Sequence, residues 1–473
     1  MLFPTVEFAL FFLAVLLTAW SLHRWNGLHK SFLLAASYVF YGFWNWSYVP
    51  LLFGISLTSG LLAQRIQRSR TQRARKFSLI LGIVICLSTL GYYKYTAFLF
   101  STVLNLWAHI ARPPQVRIPE PLLPLGVSFF IFHAISLMMD AYRNKLRERV
   151  RLLDALLYVA FFPQLIAGPI LRASNFLPQL RVRRSASAIR VNRALLLIVA
   201  GLFKKVIISN LLATRLVEQV FAAPQTFSRG DVLLAIYGYA AQIYCDFSGY
   251  TDIAIGCAML LGYRFPRNFN APYTASSPQD FWRRWHISLS TWLRDYLYIP
   301  LGGSRGSTWR TYLNLMITML LGGLWHGAAW TFVIWGALHG FYLVVHRLWS
   351  SIRWTALIRF RQTALWRWTS RLLLFHAVCV GWVFFRSPSF GIAFAMFRGL
   401  ATPGAATLLT VPVALALCAG LFSQFQPLRW RKALEFEMSC WPAVARGAAF
   451  GAGIFVIEVL GPSGVAPFIY FRF

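Results

Sequence analysis

The sequence predicts an all-α polytopic membrane protein, and three observations predict it. First, 58% of its 473 residues are hydrophobic and only 13% are charged, with a mean hydropathy of +0.56. A soluble domain carries charge at about one residue in four. Second, apolar runs close to the roughly 20 residues that cross a bilayer recur along the whole chain. Third, the basic residues gather in short loops between those runs, as in QRIQRSRTQRARK (64–76), RNKLRERVR (143–151) and RVRRSASAIR (181–190).

Taken in order, the apolar runs are 3–20, 31–46 running into 48–63, 77–93, 95–110, 192–213 and 232–262. Then come 311–323, 328–347, 371–386, 406–424 and 442–460. By length they amount to about ten to twelve spans. The first has no basic segment before it and no small-residue cleavage site, so it reads as a retained span rather than a signal peptide. Loop 64–76 reads as cytoplasmic under the positive-inside rule. The net charge of +32 would suggest nucleic acid in a soluble protein. Here no separate basic domain exists to carry that function, and loops of this kind meet anionic lipid headgroups instead. The six cysteines are scattered without a C-x-x-C pair and read as small core residues, not as a disulfide frame or metal site.

The chain reads as one integral-membrane domain, 1–473, with three zones. Residues 1–111 are plain N-terminal spans, 112–350 a core interrupted by polar and helix-breaking motifs, and 351–473 plain C-terminal spans. In the core, RPPQVRIPEPLLPLG (112–126) carries five prolines and cannot form a regular helix. FFPQLIAGPI (161–170) sets Pro163, Gly168 and Pro169 inside a hydrophobic run. Broken helices are tolerated at membrane depth only when buried in protein or lining a cavity.

Polar residues then enter apolar segments. AQIYCDFSGYTDIAIGCAML (241–260) contains Asp246 and Asp252. Each is a functional candidate by position, but the favoured reading of each is an anchor bonded to a neighbouring Arg or to Ser and Tyr hydroxyls. FWRRWHISLSTWLRDYLYIPLGGSRGS (281–307) reads as an amphipathic helix. Trp282, His286, Leu289 and Leu293 share one face, and Phe281, Trp285, Ser288 and Trp292 the next. Such a helix suits the membrane interface, and its basic residues could hold an anionic donor such as a CoA phosphate. LGGLWHGAAWTFVIWGALHG (321–340) pairs Gly323 with Gly327 and Gly336 with Gly340 at the spacing that brings helix backbones close. Read alone, His326 and His339 are packing residues bonded to carbonyls. A second histidine-bearing motif 40 residues upstream raises His326 above that reading, while His339 keeps it.

The chemistry that fits is proton transfer, since an imidazole suits general-base work near neutral pH. There is no G-x-S-x-G elbow, no H-E-x-x-H, no Walker A and no dinucleotide fingerprint.

The stretches DFSGYTDIAIG (246–256), DFWRRWHISLSTWLRDYLYIPLGG (280–303) and LGGLWHGAAWTFVIWGALHG (321–340) resemble the membrane-bound O-acyltransferases. The similar branch is the bacterial one of alginate O-acetylases and teichoic-acid D-alanyl transferases. LPLGVSFFIFHAISLMMDAYR (123–143), FFPQLIAGPILR (161–172), GLFKKVIISN (201–210) and the terminal FIYFRF agree. The resemblance implies a multi-helix bundle with re-entrant or broken helices around a central funnel. It implies that His326 is the catalytic histidine and His286 the second key position, occupied by His in this branch and often by Asn or Asp in others. His133 departs from the pattern, where Gln is expected.

What the resemblance implies is acetyl transfer from cytoplasmic acetyl-CoA, a donor substrate rather than a bound cofactor, across the bacterial inner membrane. A periplasmic serine-esterase-like (SGNH) acetyltransferase would receive the group and pass it to a polysaccharide such as alginate. Arg283, Arg284 and Trp285 would lie on the acetyl-CoA side. Asp246, Trp282, Trp325, Gly323 and Gly327 would support the funnel. D-alanyl transfer to teichoic acid or peptidoglycan is the runner-up chemistry. A transporter, and a non-catalytic scaffold for a polymer synthase, are the non-enzyme alternatives.

Overall fold

The computed structural model describes residues 1, 3–111, 118–461 and 469. It is 77% helical, with no strand among the described residues. Residues 112–117 of the proline-rich segment, and all of FIYFRF except Ile469, lie outside the described residues. The rest of the proline-rich segment is irregular, as its missing amide donors require. Helix Val127–Tyr142 starts only after Gly126, at φ 71°.

Five helical stretches are long and apolar enough to cross a membrane: Trp46–Arg68, Gln72–Ala108, Val191–Ala222, Ala364–Arg386 and Ala443–Leu460. Four shorter apolar ones accompany them: Val6–Ser21, Val127–Tyr142, Phe390–Gly399 and Val411–Phe425. Helices Arg229–Leu260, Thr308–His326 and Trp330–Ser351 are also long, but they carry Asp, Asn, His and Trp among their apolar residues. Runs 77–93 and 95–110, expected as two spans, form one element from Gln72 to Ala108, joined through a π turn at Gly91–Tyr95. Apolar side chains face outward as well as inward. On Val6–Ser21, Phe8, Phe12 and Val15 are buried, while Leu10, Leu13 and Leu17 are exposed. A helix apolar all round is suited to lipid, and the protein is a multi-pass membrane protein.

The chain divides into two compact units. One comprises Met1–Arg190 with Cys257–Phe265, the other Val191–Gly256 with Pro266–Phe473. In the first, the break predicted at 161–170 is present. Helix Leu152–Ala160 ends there, a single turn Phe162–Leu165 follows, and the irregular backbone after it is buried in protein. Lys30 and Asp154 form a buried ion pair at 2.5 Å. His133 is fully buried, its Nε2 accepting from the Leu171 N–H at 3.3 Å. One of the basic loops also closes a helix end. The Arg75 guanidinium donates to the Tyr142 carbonyl at 2.8 Å, satisfying an acceptor that the helix itself leaves open.

In the second unit, Val191–Ala222 runs against Arg229–Leu260 on glycines. A Cβ on Gly201 would lie 2.6 Å from the Gly249 carbonyl oxygen, and one on Gly249 would lie 2.7 Å from the Gly201 carbonyl oxygen. Both are closer than any side chain allows, so the backbones touch. The first of these elements widens into π turns at Phe203–Ser209 and Ala213–Val217. Lys204 and Lys205 sit in the first π turn. Lys204 pairs with Asp252 at 2.5 Å, and buried Lys205 pairs with buried Asp246. Asp246 also accepts from Ser209 Oγ at 3.4 Å and from the Ile469 N–H at 2.9 Å. The anchor reading of both aspartates therefore matches their surroundings, with Lys in place of the expected Arg. The cysteine reading needs one correction. Cys86, Cys245, Cys257 and Cys379 are buried, but Cys418 and Cys440 are exposed, because each lies on the outward side of its helix.

Candidate functional site

The site begins with a helix that breaks. The period through 281–293 predicts one amphipathic helix, but the structure contains two, Pro278–Arg284 and Ile287–Leu293. Ser277 caps the first, its Oγ accepting from the Asp280 N–H at 3.1 Å, with Pro278 at the first helical position. Trp285 is then extended, and His286 adopts the left-handed region at φ 41°, ψ 56°. A non-glycine residue there is strained unless its surroundings fix it. Segment 268–270 does so: the Ile287 N–H donates to the Asn268 carbonyl at 2.9 Å, and the Asn270 N–H donates to the Arg284 carbonyl at 2.9 Å. Much of the segment is buried against protein. Phe281, Trp285, His286 and Leu289 are all at most 1% exposed.

Asn268 also reaches the imidazole. Its Oδ1 accepts from the Ser288 N–H at 3.1 Å and from Ser288 Oγ at 2.9 Å, and Nδ1 of His286 lies 3.2 Å away. A backbone N–H can only donate, so the atom facing it is the amide oxygen and not the nitrogen. An amide oxygen can only accept, so Nδ1 of His286 carries the proton. In the neutral ring Nε2 then bears the lone pair, and Nε2 is buried with no hydrogen-bond partner among the described residues. This geometry presents an imidazole base in a defined orientation.

His326 is the last residue of helix Thr308–His326; the chain turns at Gly327 and re-enters a helix at Trp330. The two helices meet on glycine. A Cβ on Gly323 would lie 2.3 Å from the Phe332 carbonyl oxygen, and one on Gly336 would lie 2.4 Å from that of Met319. A Cβ on Gly327 would strike the Phe332 ring at 2.1 Å. His326 is 3% exposed and walled by aromatic rings: Trp325 at 5.0 Å, Trp335 at 4.9 Å and Phe385 at 5.2 Å between centroids.

The Trp325 ring touches both histidines, lying 6.0 Å from that of His286 as well as 5.0 Å from that of His326. On the far side of His326, Trp335 packs against His339 at 4.7 Å, and Trp282 against His339 at 5.1 Å. The structure thus brings together His286, His326, Trp325, Trp282, Gly323 and Gly327. Asp246 sits apart from them in polar contacts of its own, with Lys205, Ser209 and Ile469. The proposed acetyl-CoA group disperses. Trp285 is buried against Phe269, Phe281 and Trp382, and Arg284 is held by Asp280 at 2.8 Å and by Thr274 at 3.3 Å. Arg283 alone of the three is exposed. Sequence reasoning missed Asn268 and Trp335. Trp335 had a usable signal, since it precedes His339 by four residues and so shares its helix face. Among the described residues no cluster of three or more His, Cys, Asp or Glu could hold a metal ion.

The chain is similar to known proteins along most of its length. The chain is 41% identical over 404 residues to a protein named probable alginate O-acetylase from Pseudomonas aeruginosa, covering 85% of this chain and 75% of that one. A protein of the same name from Pseudomonas putida is 36% identical over 501 aligned positions, covering all of both chains. A peptidoglycan O-acetyltransferase from Helicobacter pylori is 38% identical over 397 residues, covering 78% and 73%. Residues 3–385, which hold both histidines and the helices around them, match the membrane-bound O-acyltransferases, and the chain belongs to that family.

Proposed function

We propose that this acyltransferase moves acetyl groups from cytoplasmic acetyl-CoA across the bacterial inner membrane for O-acetylation of an extracytoplasmic polysaccharide, alginate or a similar polymer. The observation that carries this reading is the pair His286 and His326, both buried and both packed against Trp325, with Nε2 of His286 bearing a lone pair and no partner among the described residues. His326 is the general base that takes the proton of the accepting hydroxyl. His286, held by Asn268, assists it or orients the acyl group. Thioester-to-ester transfer is close to balanced in energy, so positioning and one base suffice. The printed names of the relatives, two alginate O-acetylases and a peptidoglycan O-acetyltransferase, support acetyl over D-alanyl as the group carried. The accepting hydroxyl belongs to a periplasmic serine-esterase-like transferase, which passes the acetyl group to the polymer. Arg283 is the residue of its cluster best exposed to meet a CoA phosphate.

The test is reconstitution in liposomes with radiolabelled acetyl-CoA and the periplasmic partner. Wild type should transfer label, and His326→Ala should lose about 10²–10⁴-fold in rate, the worth of one positioned base. Equal transfer by the two proteins would overturn the assignment. Label that crosses the membrane still attached to CoA would favour a transporter.

A further inference from the structure

Helix Arg229–Leu260 carries a polar stripe beside the histidine site. Tyr244, Ser248 and Asp252 recur every four residues and so share one face. Lys204, from the π turn Phe203–Ser209, reaches over that face. Its ammonium donates to Ser248 Oγ at 3.1 Å and to Asp252 Oδ2 at 2.5 Å, and lies 6.0 Å from the centre of the Tyr244 ring. Turns of this kind inside a helix are frequent at functional places.

Two lysines adjacent in sequence meet different surroundings. Lys205 and Asp246 are sealed in protein, their side chains 1% and 2% exposed. Lys204 and Asp252 are reached by solvent, at 18% and 26%. Both pairs sit well inside long helices, Val191–Ala222 and Arg229–Leu260. Ionised groups at membrane depth that are not sealed in protein face water rather than hydrocarbon. The Lys204–Asp252 pair therefore borders a hydrated recess. The stripe runs from it to the histidine site: Tyr244 packs against Phe269 at 6.1 Å, and Phe269 against His286 at 6.4 Å. Asp252 lies eight residues beyond Tyr244, about 12 Å of helix.

The chemistry of the pair selects its guest. Opposite charges 2.5 Å apart cancel at a distance, so the pair has little attraction for a phosphate. At contact it offers both kinds of hydrogen bond. Two of the three ammonium hydrogens are used, and only Oδ2 of the carboxylate accepts, among the described residues. An uncharged group that both accepts and donates matches this edge, and an amide is such a group. The pantetheine arm of acetyl-CoA carries two amides in series between the thioester and the nucleotide.

We propose that Lys204 and Asp252 dock the pantetheine arm of the donor, the ammonium donating to an amide carbonyl and the carboxylate accepting from an amide N–H. The proposal rests on the acetyl-transfer reading above. With the arm held at the pair, the thioester end extends along the stripe toward His286. No bond is made or broken at the pair, which holds the donor in place while the histidines act.

The test uses the full chain in liposomes with the accepting partner. Lys204→Met combined with Asp252→Leu removes both charges together and strands neither in the membrane. KM should rise about tenfold for acetyl-CoA and equally for S-acetylpantetheine, which keeps the amides and lacks the nucleotide and its phosphates. In both cases kcat should stay within roughly threefold, as expected when uniform binding is lost. A second measurement needs no turnover. With the exposed thiols removed by Cys418→Ala and Cys440→Ala, Lys204→Cys should react with a trimethylammonium methanethiosulfonate, whose permanent charge confines it to water. CoA or pantetheine at about ten times its dissociation constant should slow that labelling about tenfold. Unchanged KM for both donors would overturn the site. So would a rise confined to acetyl-CoA, which would mark a phosphate contact, or a fall in kcat with KM unmoved, which would mark a structural defect. Lys204→Cys that resists labelling would remove the recess, and labelling that neither ligand slows would leave it holding water alone. Absence of acetyl-CoA-dependent transfer by the wild type, with pantetheine still protecting Lys204→Cys, would instead remove the functional reading and leave the amide site standing.

Discussion

Nδ1 of His286 lies 3.2 Å from Oδ1 of Asn268, an oxygen whose identity is fixed by the Ser288 backbone N–H. The contact joins a residue in an irregular segment to an imidazole 18 positions later and leaves the ring one orientation and one tautomer. Asn268→Leu should therefore lower acetyl transfer about 10–100-fold, the usual cost of removing a partner that orients a functional histidine. Asn268→Asp, which keeps an acceptor oxygen at the same place, should recover part of that loss. Transfer rates measured on variants with matched melting temperatures check this, and equal rates for Leu and Asp would show the contact to be structural only.

The backbone of His286 gives a second prediction. At φ 41°, Asn is among the few residues tolerated without large strain. His286→Asn should melt above His286→Ala, by a difference of about 1 kcal/mol, although both lose the imidazole and with it the rate. Thermal unfolding in detergent distinguishes the two variants, and identical melting points would remove the strain argument.

Gly336 marks where two helices touch. Gly336→Ala puts a methyl 2.4 Å from the Met319 carbonyl oxygen, and the helices must part. A loss of about 1–3 kcal/mol is expected from such overpacking. Gly447→Ala, with nothing within 4 Å of the new methyl, should change stability by no more than about 0.5 kcal/mol. Melting of the two variants side by side provides the check.

Lys205 and Asp246 form a buried pair. Lys205→Met leaves Asp246 charged in an apolar setting and should cost about 3–5 kcal/mol. Adding Asp246→Leu should restore much of it, because a matched apolar pair is often as stable as a buried ionic one. A double-mutant cycle on melting measures the coupling, and additive losses would mean that the two charges do not support each other.

The helical class and the glycine seam at 323 and 336 were legible because each depends on local composition or spacing. The break at His286 was not. Its apolar period, Trp282, His286, Leu289 and Leu293, runs through the break without a proline or glycine to mark it. What breaks the helix is segment 268–270, which competes for its backbone groups from outside. Asn268 was invisible for a related reason. It matters only through neighbours 18 and 20 positions later, and its residue type in that segment announces no partner.

The hydrogen bond from Ile469 to Asp246 has a consequence in time. The two residues are 223 positions apart. At about 5–20 residues per second, a ribosome reaches Ile469 some 10–45 s after it has made Asp246. For that interval the carboxylate must be held by Lys205 and Ser209, made before it and already at hand. The order of these three residues along the chain means that the charge has its cation at hand as it is made and receives its last partner only after a further 223 residues have been added.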